Sequence, residues 1–205
     1  MAEPPSVNLY WLPLGAGDTS GCVRWNGRVF EALIARYERR EPWDLYHSAL
    51  QVHLDADHYV IEMTPAWGNG GGDGDRGVAA HGPVGHRWLG HTRAFRYEVR
   101  RWLDGRIPDV AEAVASPQRM SADAARARRL LDLVPEFPTL TWGRDELRTG
   151  DMWNSNSLIA WLLASSGHDT HLVEPPPHGR APGWAAGLEL AARVRRQRSL
   201  PLGSI

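Results

Sequence analysis

The sequence predicts an α+β fold, an antiparallel sheet packed on a buried central helix, and three observations lead there. Two strand-like runs, residues 45–54 and 58–64, flank Asp55-Ala56-Asp57, which is the pattern of a β-hairpin. A run opening at Asn154 carries Leu158, Ile159, Trp161, Leu162 and Leu163 around most of the helical circumference, so that helix must be buried on several sides. The chain has 205 residues, 42% hydrophobic and 23% charged, enough for a single core, and one domain spanning 1–205 is expected.

Taken in order, Val7 to Leu14 reads as a short strand with aromatic and β-branched content, closed by a Gly-rich turn at 15–21. A helix follows, because Val29, Phe30, Leu33, Ile34 and Tyr37 recur at spacings of three and four; Arg36, Arg39 and Arg40 then face water and Pro42 ends it. The hairpin strands come next, over 45–64. Residues 67–85, which carry WGNGGGDGDRG, are read as having almost no apolar content and are expected to form a long flexible surface loop. Strand-like alternation returns from Arg93 to Leu103. Ser121 is expected to cap a helix through Leu130, Leu131 and Val134, stopped by Pro135 and Pro138. The central helix runs over about 154–166 and ends at Gly167, and a last, more basic helix covers about 185–198 after the turn-rich PPPHGRAPG.

Composition narrows the function classes. The net charge is −1, and all 23 basic residues are arginine, so the chain as a whole offers no general attraction for nucleic acid or an anionic membrane. Cys22 is the sole cysteine, which rules out an internal disulfide and a cysteine-built zinc site. No basic segment followed by a long apolar run opens the sequence and no stretch is long and apolar enough to span a bilayer, so a cytoplasmic location is expected.

The residues that could carry chemistry are His47 in the strand LYHSALQV, Glu62 in the neighbouring strand YVIEM, and WNSNS at 153–157. A helix N-terminus concentrates unpaired N–H groups and positive dipole, which favours a nucleophile or a developing oxyanion beside it. A strand can hold a histidine base rigidly, and a carboxylate across the hairpin can fix its tautomer, completing the arrangement of an acyl-transfer site. The competing reading of WNSNS is plain N-capping, for which Asn and Ser are preferred. For His47 it is a half-buried strand histidine, and for Glu62 a solvated strand position.

The order of a His-bearing strand, further strands, and then a buried helix with a nucleophile position in its first turn resembles the circularly permuted branch of the NlpC-like papain-fold superfamily, the lecithin:retinol acyltransferase-like branch. The resemblance covers about 45–167. On it, Tyr46 to Leu50 matches the His strand and Asn154-Ser155-Asn156-Ser157 stands where the family has an Asn-Cys helix start. The resemblance therefore implies His47 as base, Ser155 in the place of the nucleophilic cysteine, and Glu62 as the nearest match to the third polar residue, with His53 and His58 competing. Trp153, Asn154, Asn156 and Ser157 are expected to line the substrate side of the cleft. The departure is chemical: a hydroxyl replaces a thiol, and a serine cannot be converted to a stable anion by an adjacent imidazolium as a cysteine can. Two functions follow as expectations: a hydrolase or acyltransferase acting on an amide or ester of a small-molecule, peptide or lipid-like substrate, or a catalytically inactive papain-like module that binds an acylated or peptide ligand.

No cofactor and no metal are expected. The close histidine pairs His86/His91, His53/His58 and His168/His171 lack zincin spacing, and GGGDGD at 70–75 lacks the later glutamate of an EF-hand. Arg193, Arg195, Arg196 and Arg198 could form a basic patch for an acidic partner, but cations at the C-terminal end of a helix also complement its dipole, and that is the expected role.

Overall fold

The computed structural model describes residues 3–16, 31–32, 34–66 and 77–199. The Gly-rich run at 67–76, Cys22, Val29, Phe30 and Leu33 lie outside them. The architecture is α+β. Six strands, β1 (Ser6–Pro13), β2 (Asp44–Leu54), β3 (Asp57–Pro65), β4 (Val78–Pro83), β5 (Arg96–Leu103) and β6 (Val114–Ser121), form a sheet in the order β4-β5-β3-β2-β1-β6. Every neighbouring pair on that path is antiparallel. The two-residue β7 (Gly179–Arg180) adds a short parallel pairing to the start of β2.

The helices are α1 (described at residues 31–32 and 34–38), α2 (Ala124–Leu133), α3 (Ser155–Ser165) and α4 (Trp184–Ser199). The predicted hairpin forms as β2 and β3, turning at Asp55 with a left-handed backbone (φ 59°). The expected central helix is α3: Leu158, Ile159, Leu162 and Leu163 are wholly buried in the main core with Val7, Leu9, Trp11, Leu50, Val52, Ile61, Tyr97 and Val99 of the sheet. Each such side chain contributes roughly 1.5–3 kcal/mol by leaving water. Gly167, in the left-handed region at φ 86°, follows the end of α3 as expected.

Several expectations are corrected. The loop foreseen over 67–85 gives way at its end to the edge strand β4, whose backbone pairs with β5 in spite of its small side chains. Arg93 to Phe95 is a 3-10 turn, and β5 starts only at Arg96. β6 is not among the expected elements; Pro117 within it is tolerated because β6 lies at the sheet edge, where one side of the backbone needs no partner. Asp123, not Ser121, caps α2, accepting from the N–H groups of Ala125 and Arg126, while Ser121 Oγ accepts from the Asp123 N–H. Tyr37 is 88% exposed instead of facing the core. Arg40 does not simply face water: its guanidinium donates to buried Glu31 (2.5 Å) and lies over the Trp43 ring at 4.6 Å.

Strand parity divides the sheet. Tyr46, Ser48, Leu50 and Val52 point to the face covered by the helices, with Trp11 opposite Ser48 on β1. The intervening positions point to the other face, where Ala49, Leu12, Val60 and Ile107 make a second, smaller core.

Candidate functional site

The start of α3 is a closed polar network. Asn154 is the N-cap; its Oδ1 accepts from the Asn156 N–H (2.9 Å), and its own N–H donates to Ser157 Oγ (3.1 Å), a reciprocal capping box. Ser157 Oγ donates onward to the Gly183 carbonyl (2.8 Å). Asn154 Nδ2 donates to the Pro182 carbonyl (2.8 Å). Asn156 uses its whole amide: Nδ2 donates to the carbonyls of Tyr46 (2.9 Å) and Pro182 (2.8 Å), and Oδ1 accepts from Ser48 Oγ (2.7 Å). Gly183 completes the clamp, its N–H donating to Asp151 Oδ1 (2.6 Å) at φ 93°, so close to Asn154 that a Cβ would overlap the amide. Trp153 is buried, stacked on Phe137 with ring centroids 5.0 Å apart. Of the four residues expected to line a substrate cleft, Trp153, Asn156 and Ser157 are buried and Asn154 half-buried, and all four are structural groups at the junction of α3 with β2 and the turn before α4. Ser155 is buried as well, and its hydroxyl takes part in none of these bonds.

His47 lies elsewhere. On β2 it sits between Tyr46 and Ser48, which both face the helices, and opposite Leu12, which belongs to the second core. With an unbroken ladder to β1 from Tyr46 to His53, alternation sends its imidazole to the face away from α3. The expected convergence of His47 with Ser155 is thus not found; the β2 side chain that reaches the α3 start is Ser48. His47 is half-buried, and burial pushes its pKa down to about 4, partly opposed by the carboxylate of Asp109. At neutral pH the ring is uncharged, with too little basicity to match a general base working near pH 7.

Glu62 shares the face of His47. It is not a solvated strand position: Arg100, its cross-strand partner on β5, bridges Glu62 (3.2 Å) and Glu98 (2.7 Å), and all three side chains are largely buried. Of the competing third residues, His53 and His58 are also on this face, cross-strand partners with rings 4.7 Å apart. His58 closes a chain that sequence reasoning missed. Tyr10 O–H donates to Gln51 Oε1 (2.7 Å) and Gln51 Nε2 donates to His58 Nε2 (2.8 Å), so β1, β2 and β3 are linked by a row of half-buried polar side chains. The His58 pKa is lowered, first by burial and then by His53. The signal in the sequence was the parity of β2: Gln51 and His53 share a face with His47, whereas Ser48 does not.

Among the described residues no group of three or more His, Cys, Asp or Glu side chains is placed to hold a metal ion. No helix there is long and apolar enough to cross a membrane. Comparison with protein-family models, with curated proteins and with solved structures finds no match to this chain.

Proposed function

We propose that the chain is a ligand-binding module on a permuted papain-like scaffold, not a Ser155/His47 hydrolase or acyltransferase. One observation carries this reading: the polar groups of the α3 start are joined in its own cap while strand register turns His47 to the opposite face of the sheet, where burial disfavours the charged ring. Nucleophilic serine catalysis needs a base within hydrogen-bond reach of the hydroxyl. The order of His-bearing hairpin strand, further strands and buried helix supports kinship with the NlpC-like superfamily, and the serine at position 155 agrees with a loss of thiol chemistry. The surface proposed for the ligand, a peptide or an acylated small molecule, is the row Tyr10, Gln51, His58. Its hydroxyl, amide and imidazole suit the N–H and C=O groups of amide ligands, and the strands hold it rigid.

The test restores the family's atom. In a Cys22→Ala, Ser155→Cys protein, iodoacetamide should modify position 155 slowly, with the profile of an ordinary or hindered thiol that His47→Ala leaves unmoved. Rapid modification near pH 6 that depends on His47 would overturn the binding-module reading in favour of the enzyme. In parallel, a thermal-shift screen of short peptides and acylated amino acids should yield saturable stabilisation that Gln51→Ala removes.

A further inference from the structure

We propose that the surface formed by the end of β4 and the two 3-10 turns before β5, Arg87–His91 and Arg93–Phe95, is a docking site for an anionic lipid headgroup layer. Neither turn buries any of its residues. Trp88 is 67% exposed and Phe95 43%, with exposed Ala94 and half-buried Leu89 beside them. Isolated exposed apolar residues need no explanation, but two aromatic rings with aliphatic neighbours on adjacent turns form a patch.

Within the segment that carries the patch the charge has one sign; the carboxylates bordering it are Glu98, paired with Arg100 and opposite His81, and Asp145 and Glu146 beside Arg144, which accept from the Thr149 and Thr141 N–H groups. No Asp or Glu occurs between Gly77 and Tyr97, while Arg87, Arg93, Arg96, His81, His86 and His91 all fall there. Arg144 joins them through its Nε donating to the Gly85 carbonyl (2.7 Å). Among the described residues none of these four arginines is ion-paired to a carboxylate; Arg93 and Arg96 hydrogen-bond to backbone carbonyls of Ala66, Gly90 and His91 instead. The net charge of −1 for the whole chain thus conceals a local cationic field.

The patch is also pre-shaped. Backbone bonds from Leu89 to His86, Thr92 to Leu89 and Phe95 to Thr92 close successive turns, and the Gly85 N–H is tied to the Trp142 carbonyl. A backbone held this way loses little freedom on docking. Indole at the headgroup level with arginines reaching phosphates is the chemistry of a membrane interface. A single-stranded nucleic acid is less well matched, since base stacking makes no use of Leu89 and Ala94, and the Trp88 ring is already beside His86, 6.0 Å between centroids.

The experiment is co-sedimentation of the full chain with phosphatidylcholine vesicles, with or without about a third phosphatidylglycerol. Binding is expected only to the anionic vesicles at low salt, and to be lost at high salt as the surface field is screened. Arg87→Glu with Arg93→Glu should weaken it at least tenfold, on the order of what two basic residues contribute at an anionic surface. Trp88→Ala with Phe95→Ala should weaken it as much at constant charge, and Arg87→Glu alone, whose side chain makes no hydrogen bond or ion pair among the described residues, guards against misfolding. Gln51→Ala should leave vesicle binding unchanged, which separates this site from the proposed ligand row. Equal binding to neutral vesicles, no binding to anionic ones, or binding instead to a fluorescent oligothymidylate that Arg87→Glu abolishes would each overturn the proposal.

Discussion

Replacing His47 by Gln tests the electrostatics of the helix-free face. Burial holds the imidazole at a pKa of about 4, against an ordinary value of 6.5 for the unfolded chain. A depressed pKa means that the folded state prefers the neutral ring, so the contribution is fully present above pH 6.5 and is lost as pH falls toward 4. At pH 5 the unfolded chain has taken up nearly a full proton at this position and the folded chain only about a tenth, so stability falls by about 2 kcal/mol relative to pH 7.5. Urea unfolding of the wild type and of His47→Gln at pH 7.5, 6 and 5 reads this directly. Whatever constant offset the substitution introduces, the wild-type advantage over the variant should shrink by about 2 kcal/mol across that interval, since carboxylates and the other histidines titrate in both proteins. Parallel curves for the two proteins, or an imidazole resonance of His47 titrating near pH 6.5, would refute the placement of the ring in a desolvating site.

Three further outcomes follow from the site geometry. Ser155→Ala should change unfolding stability by no more than about 0.5 kcal/mol, whereas Asn156→Ala, which strands buried partners on Ser48, Tyr46 and Pro182, should cost on the order of 3 kcal/mol; the reverse ranking in urea titrations would contradict the capping account. Gly183→Ala combines a positive φ with overlap onto Asn154 and should cost about 2 kcal/mol or more, visible as a lowered Tm. Arg100→Met leaves Glu62 and Glu98 buried without their shared cation and should cost roughly 3–5 kcal/mol at pH 7, less at pH 4 where the carboxyls take up protons; a loss independent of pH would point to packing alone.

The sequence by itself determined the features that local chemistry dictates. Asn154 with Ser157 three residues on is a capping box wherever that helix forms, the all-round apolar surface of 158–163 leaves α3 nowhere but the core, and Asp55 provides the left-handed turn that the hairpin requires. Only the tertiary structure decided which way each strand faces. The parity of LYHSALQV sets Tyr46, Ser48, Leu50 and Val52 apart from His47, Ala49 and Gln51, but which of the two faces α3 covers is decided by Trp11 and Leu50 entering the core beneath the helix, and that carries His47 to the far face with Glu62 and Gln51. The same holds for β6 and β7, whose residues lack strand character and are extended only because a long neighbouring strand offers them its hydrogen bonds. A side-chain period of two makes a strand's face an all-or-none property of its long-range partners, whereas a helix cap is satisfied within four residues of its own chain.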